Sequence, residues 1–184
     1  VSAGRVSFLC VVIGALAAAL GCPEPEPEPE PAALVRADAW VRVTDPSVDA
    51  FAGLRPAAAV CADTGYYLDP LTMSFEVDTG LCDYLTVTQP TLTALAAGDT
   101  VAVELYHGQL AAPTPSQGYA GLALGGSIVW SIEVPIPGEA GTVTGRFTVE
   151  EALPAGAMVQ MHIHNHGANS WDIVAVTARP GEGE

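Results

Sequence analysis

Three of the chain's four histidines fall in Met161-His162-Ile163-His164-Asn165-His166-Gly167. On an extended strand, residues two apart share a face. His162 and His164 therefore project together, with Gln160 and Met158 behind them, and Val159, Met161 and Ile163 take the opposite, core side. Two imidazoles so paired are a bidentate start for zinc, copper or iron. His166 would lie roughly 13 Å from His162 on an ideal strand at ~3.3 Å per residue, so it joins only if the chain turns at Asn165-His166-Gly167. His107 is the natural further ligand, with Glu104 or Asp172 as carboxylate. The competing reading gives the histidines only hydrogen bonds that fix the loop 165–169. Ser170 is close in sequence to this run, but the chain has no Gly-x-Ser-x-Gly elbow and no paired-carboxylate motif, so an enzyme ranks third.

A second set of candidates is aromatic: Tyr66, Tyr67, Tyr84, Tyr106, Tyr119 and Trp171, with Trp40 and Trp130 assigned to the core. Sugar rings stack on such side chains, and Gln160, Asn165, Asn169 and Asp172 supply groups for hydroxyls. Read singly, each tyrosine is also an ordinary half-buried strand residue.

The elements that must position these residues show period-two alternation broken at short intervals by Gly, Pro, Asp and Thr, which predicts an all-β chain. Residues 71–78 put Leu71, Met73, Phe75 and Val77 on one face. Val101, Val103 and Leu105 repeat the pattern after Gly98-Asp99, as do Ile128, Trp130, Ile132 and Val134 after Gly125-Gly126. Further strands are predicted at 34–43, 57–62, 82–88, 119–124, 142–149, 157–164 and 170–178, and the one helical stretch at 92–97. Nine or ten short strands argue for two packed antiparallel sheets, a jelly-roll-like sandwich, over a closed barrel.

The N-terminal part sets the compartment. Residues 8–20 are uncharged and mostly apolar behind Arg5, which suits a signal-peptide h-region and falls short of the ~20 residues that cross a bilayer as a helix. Ala19-Leu20-Gly21-Cys22 resembles the lipobox of bacterial lipoproteins, in which cleavage leaves the cysteine as a diacylglycerol-bearing N-terminus. The resemblance implies lipid attachment at Cys22, and Pro23, in place of an inner-membrane-retaining aspartate, favours the outer membrane. Residues 23–31 alternate proline and glutamate and predict an extended spacer of ~25 Å at ~3.1 Å per residue. The expected organisation is a signal peptide at 1–21, lipidated cysteine and spacer at 22–31, one sandwich domain at 32–180 and a flexible tail at 181–184. Cys10 leaves with the signal peptide and Cys22 carries lipid, so Cys61 and Cys82 are left to form a disulfide in an oxidising compartment. A metal site on both thiolates is the less favoured use of the pair.

Charge narrows the partners. The chain has no lysine and a formal net charge of −15, so nucleic acid and anionic membrane surfaces are poor partners. The strand layout, the Gly98-Asp99 turn entering a strand and the closing Asn165–Ile173 run together resemble the galactose-binding-like jelly rolls that include many carbohydrate-binding modules. That resemblance implies a glycan ligand and a structural calcium, for which Asp63, Asp69, Asp78 or Asp83 could provide oxygens. The reading is a lipid-anchored, non-catalytic binding domain for a glycan or other envelope component. The alternative is a transition-metal protein using His162, His164, His166 and His107 for zinc or copper.

Overall fold

The computed structural model describes residues 30–181. The apolar leader, Cys22 and nearly all of the Pro–Glu repeat lie outside the described residues, as do residues 182–184. The described chain contains eleven strands: β1 (Ala32–Ala33), β2 (Val41–Arg42), β3 (Tyr66–Leu68), β4 (Phe75–Asp78), β5 (Tyr84–Pro90), β6 (Thr100–His107), β7 (Ser116–Leu124), β8 (Ser127–Ile136), β9 (Gly141–Thr148), β10 (Met158–His164) and β11 (Ser170–Arg179). Two short 3-10 turns, Ala37–Ala39 and Ala52–Leu54, are the only helical elements among the described residues. The first sheet runs β3-β4-β11-β6-β9, with β1 added on β11; the second runs β2-β5-β10-β7-β8. All pairings are antiparallel, so the expected all-β sandwich is the observed fold.

Alternation builds the core. In β6 the buried positions are Val101, Val103, Leu105 and His107, and in β10 the inward face is Val159, Met161 and Ile163. These meet Leu122, Ala120, Leu85 and Val87 of the second sheet and Val77, Ile173 and Val176 of the first in one continuous cluster. Burying each such aliphatic side chain stabilises the fold by about 1.5–3 kcal/mol before chain entropy is subtracted. The β7–β8 hairpin closes on Gly125-Gly126, with φ of +57° and +90°; two successive left-handed residues suit the strand twist and are open to glycine at little cost.

Several segments depart from their sequence patterns. The strand expected at 71–78 begins only at Phe75. Asp69-Pro70 starts a turn in which Asp69 Oδ1 accepts the Leu71 N–H at 2.9 Å and the Asp69 carbonyl accepts the Met73 N–H at 2.8 Å. Turn chemistry thus overrides the alternation, and Leu71 is left 92% exposed. Residues 57–62 form no strand beyond a single bridge, Cys61 to Cys82. Residues 92–97 form no helix, because Leu95 exchanges both backbone hydrogen bonds with Leu153. Of the strand expected at 34–43 only β2 forms, in the second sheet; Leu34 still donates to the Val176 carbonyl of the first sheet at 2.9 Å, just after β1, and the 3-10 turn at Ala37–Ala39 carries the chain between layers. The expected disulfide is formed between Cys61 and Cys82. It fastens the strand-free arm before β3 to the start of β5.

Candidate functional site

β10 is buried on both faces because the segment 44–56 passes over its outer side. This strap is tied down residue by residue. Gln160, on the outer face of β10, accepts the Ala50 N–H at 2.9 Å and donates to the Val48 carbonyl at 2.6 Å. Asp49 Oδ1 accepts the Phe51 N–H at 2.9 Å, and the Tyr84 hydroxyl lies 2.8 Å from both Asp49 Oδ2 and the Phe51 carbonyl. Phe51 is 1% exposed and stacks on His162, ring centroids 4.7 Å apart and planes 16° apart. Room for Phe51 comes from Gly121, the β7 partner of His162: a Cβ there would stand 2.6 Å from Phe51 Cε1.

Register aligns the side chains under and beside the strap into rows. One row crosses four strands as Tyr84, His164, Tyr119 and Glu133. The His164 ring lies nearly parallel to Tyr84 (6.3 Å, 14°) and to Tyr119 (5.1 Å, 8°). The next row holds Thr86, His162, Gly121 and Ser131. The two histidines are joined, His162 Nε2 to His164 Nδ1 at 2.9 Å, and His162 Nδ1 lies 2.9 Å from Thr86 Oγ1. Arg55, at the end of the strap, caps the Tyr84 ring at 5.1 Å from its centroid, a favourable cation–π placement.

Burial sets the protonation of this cluster. His162 is wholly buried and its pKa falls to about 3, first through desolvation of the charged form and then through the neighbouring His164. The His164 pKa is lowered as well, by burial and by His166, against the opposing pull of Glu133 and Asp83. Desolvation and the nearby Asp49 raise the Tyr84 pKa, so the phenol keeps its proton. At neutral pH the site is an uncharged aromatic and imidazole floor with Glu133 at one end.

Beside the strap this floor opens into a cleft of about 650 Å³ lined by Leu54, Pro115, Ser116, Gln117, Tyr119, Glu133, His164 and His166. On the strap's other side a second hollow, about 760 Å³, is lined by Val43, Thr88, Met158, Gln160 and the strap itself. The first combines two rings with hydroxyl, amide, carboxylate and imidazole groups, a composition able to hold a polar ligand by stacking and hydrogen bonds.

The residues singled out in the sequence are dispersed. His162, His164 and His166 share this region, but His107 lies on β6 of the other sheet, 5% exposed, with its ring 4.9 Å from Trp171 and its Nδ1 on the Gly108 carbonyl at 2.9 Å. The four-histidine set is therefore not assembled, because β6 and β10 belong to opposite layers. Among the described residues no three His, Cys, Asp or Glu side chains converge on a metal position. The same holds for the calcium expectation. Asp69 and Asp78 accept local backbone N–H groups in their own turns, Asp83 accepts the Val60 N–H, and Asp63 pairs with Arg42 at 3.4 Å.

The aromatic set divides three ways. Trp171 is 0% exposed in the core and cannot offer a stacking face, because alternation along β11 turns it inward. Tyr66 packs on Phe75. Tyr67 and Tyr106 are exposed in one row of the first sheet with Asp172 and Glu76, where Asp172 Oδ1 accepts the Ser74 hydroxyl at 2.7 Å. Of this set only Tyr84 and Tyr119 stand with His162 and His164. Gln160 is spent on the strap, while Asn165 donates to Thr79 Oγ1 at 2.8 Å and Asn169 brackets the backbone of Ala111, accepting its N–H at 2.6 Å and donating to its carbonyl at 3.2 Å. The loop-fixing role weighed for the histidines thus falls to Thr79 and these two asparagines. Asp49, Phe51, Thr86 and Glu133 were not singled out. Their only signal in the sequence is the alternation of β5 and β8 and the Asp-Ala-Phe turn, which does not say what it covers.

No known family model matches this chain, and no curated protein matches it. Among solved structures, one described as CBM4 superposes with a TM-score of 0.46 at 14% identity, over 82% of this chain and 95% of that one. A family 16 carbohydrate-binding module gives 0.38 at 12%, over 58% and 76%. The CBM22-1-GH10 modules of the Clostridium thermocellum xylanase 10B, complexed with xylohexaose, give 0.44 at 7%, over 84% of this chain and 28% of that one. These are distant likenesses of a two-sheet sandwich, too remote to carry a residue's role across.

Proposed function

We propose that this protein is an exported envelope lipoprotein, anchored through Cys22, whose sandwich binds a glycan without acting on it. The observation that carries the reading is the cleft beside the strap: Tyr119 and His164 give a neutral ring floor, and Ser116, Gln117, Glu133 and His166 surround it with hydrogen-bonding groups. A sugar has the matching chemistry, an apolar ring face with hydroxyls at its edge. The acidic surface favours neutral or cationic glycans over anionic ones. The ~25 Å Pro–Glu spacer would carry the domain clear of the lipid surface, with the outer membrane as the expected location.

The test is affinity electrophoresis of the protein, exported to an oxidising periplasm, through gels containing xylan, β-galactan, β-glucan or chitin derivatives. Retardation by one polysaccharide is expected, reduced at least tenfold in Tyr119→Ala, while Cys22→Ser should move the protein from the membrane fraction to the soluble one. Mobility unchanged in every gel would defeat the glycan reading. Membrane association that survives Cys22→Ser would defeat the anchor.

A further inference from the structure

The rings in the outer row of the second sheet cover one another. Tyr84, His164 and Tyr119 stand in register on β5, β10 and β7, with successive planes 14° and 8° apart and centroids 6.3 and 5.1 Å apart. At 5.1 Å two nearly parallel rings overlap in an offset stack, so His164 covers one face of Tyr119. The other face is turned away from β10, to the side on which β8 lies. β8 is the last strand of that sheet, and the residue directly opposite Tyr119 on it is Glu133. Cross-strand partners have Cβ atoms about 4.5–5.5 Å apart, which sets the Tyr119 face and the exposed Glu133 side chain on two sides of one small space. Both sides attract positive charge, since an aromatic face is the negative part of its quadrupole and Glu133 supplies a carboxylate. Neither lysine nor arginine lines the cleft. Arg36 and Arg42 pair with Asp38 and Asp63, outside it, and Arg55 covers the Tyr84 ring at the other end of the row. The formal charge of −15 adds a long-range attraction for cations.

We propose that Glu133 and the β8-facing side of Tyr119 form a subsite for an ammonium group, so that the glycan held in the cleft is one bearing free amines, a polymer of deacetylated hexosamine. This rests on the cleft being a glycan site and adds the substituent it recognises. A protonated amine between the two walls meets the ring face and the carboxylate at once. An N-acetyl group carries no charge and sets a methyl against the carboxylate, so acetylation removes both attractions. Ser116, Gln117 and His166 remain for the hydroxyls.

The test compares glucosamine hexasaccharide with its fully N-acetylated counterpart by calorimetry at pH 6, where most glucosamine amines are protonated. The amine form should bind the parent at least tenfold more tightly. Glu133→Gln, at an exposed position, should abolish that preference and leave binding of the acetylated form unchanged. Glu104→Gln removes the same charge from an exposed position on the opposite sheet and should keep the preference. Equal binding of the two hexasaccharides by the parent, or an equal loss in both variants, overturns the proposal. So does retention of a neutral polysaccharide by a protein that does not bind the amine form. If no polysaccharide is retained at all, the glycan reading fails by itself and tetramethylammonium decides the subsite. Its addition should shift the Tyr119 ring resonances in the parent and not in Glu133→Gln; unmoved resonances in the parent overturn the subsite.

Discussion

His162 converts burial into a pH dependence whose sign is fixed. Its pKa is about 3 in the folded protein against an ordinary 6.5. Above pH 6.5 neither state binds the proton, and the neutral ring sits between Phe51 and Tyr84 without penalty. Between 6.5 and about 3 only the unfolded chain takes it up, so stability falls with pH by up to ~1.4 kcal/mol per unit, and below about 3 the loss levels off. His164, lowered mainly by its own burial, adds to the same trend. His162→Phe keeps an aromatic ring against Phe51 and removes the titrating group. Urea unfolding of the parent is expected to lose a few kcal/mol between pH 7 and pH 4, and the variant markedly less. Equal slopes in the two proteins would show that the acid sensitivity lies elsewhere. None of this is visible in the histidine spacing alone, since the same two rings on an uncovered strand would titrate near their ordinary value.

At the scale of elements, the strap 44–56 decides what the second sheet can do. A five-stranded sheet with an open outer face would offer Thr86, His162 and Gln160 to solvent; with the strap in place they are sealed and only the end of the row, His164, Tyr119 and Glu133, is left to a ligand. Gln160 holds the strap by two backbone hydrogen bonds, and their loss leaves the Val48 carbonyl and Ala50 N–H to find water, at about 1–3 kcal/mol. In Gln160→Ala, hydrogen exchange and proteolytic nicking across 44–56 should rise about tenfold while β6 and β11 stay protected. Uniform loosening of the whole sandwich instead would mean that the strap and sheet unfold as one unit. Strands were legible where alternation ran unopposed, as in β6, β8 and β10. They were misjudged where turn residues intervened, as at Asp69-Pro70, or where a segment serves two sheets, as at 34–43.

For the whole molecule, the Cys61–Cys82 bond joins a strand-free arm to the core across a sequence separation of 21. Cys82 is fully buried beside the core and Cys61 lies at its margin. Removing both thiols as Cys61→Ser with Cys82→Ser should cost roughly 3 kcal/mol in the chain-entropy model of loop closure, read as a lower unfolding midpoint under non-reducing conditions. The parent treated with reductant should match the double variant. Stability insensitive to both changes would show that the arm is held by packing and by the Arg42 hydrogen bond to the Cys61 carbonyl at 3.0 Å without help from the covalent link.

Composition and period-two patterning determined, by themselves, that this chain builds an antiparallel sandwich and which face of β6, β8 and β10 enters the core, because both follow from local alternation. They also placed His162 and His164 on one face. Only the tertiary structure decided that His107 belongs to the other layer, that Trp171 is core, and that a loop 110 residues upstream of Gln160 roofs the histidines. The physical reason is that the cleft exists only because one outer face is partly covered. Alternation separates inside from outside, but it does not record which loop lies over which sheet.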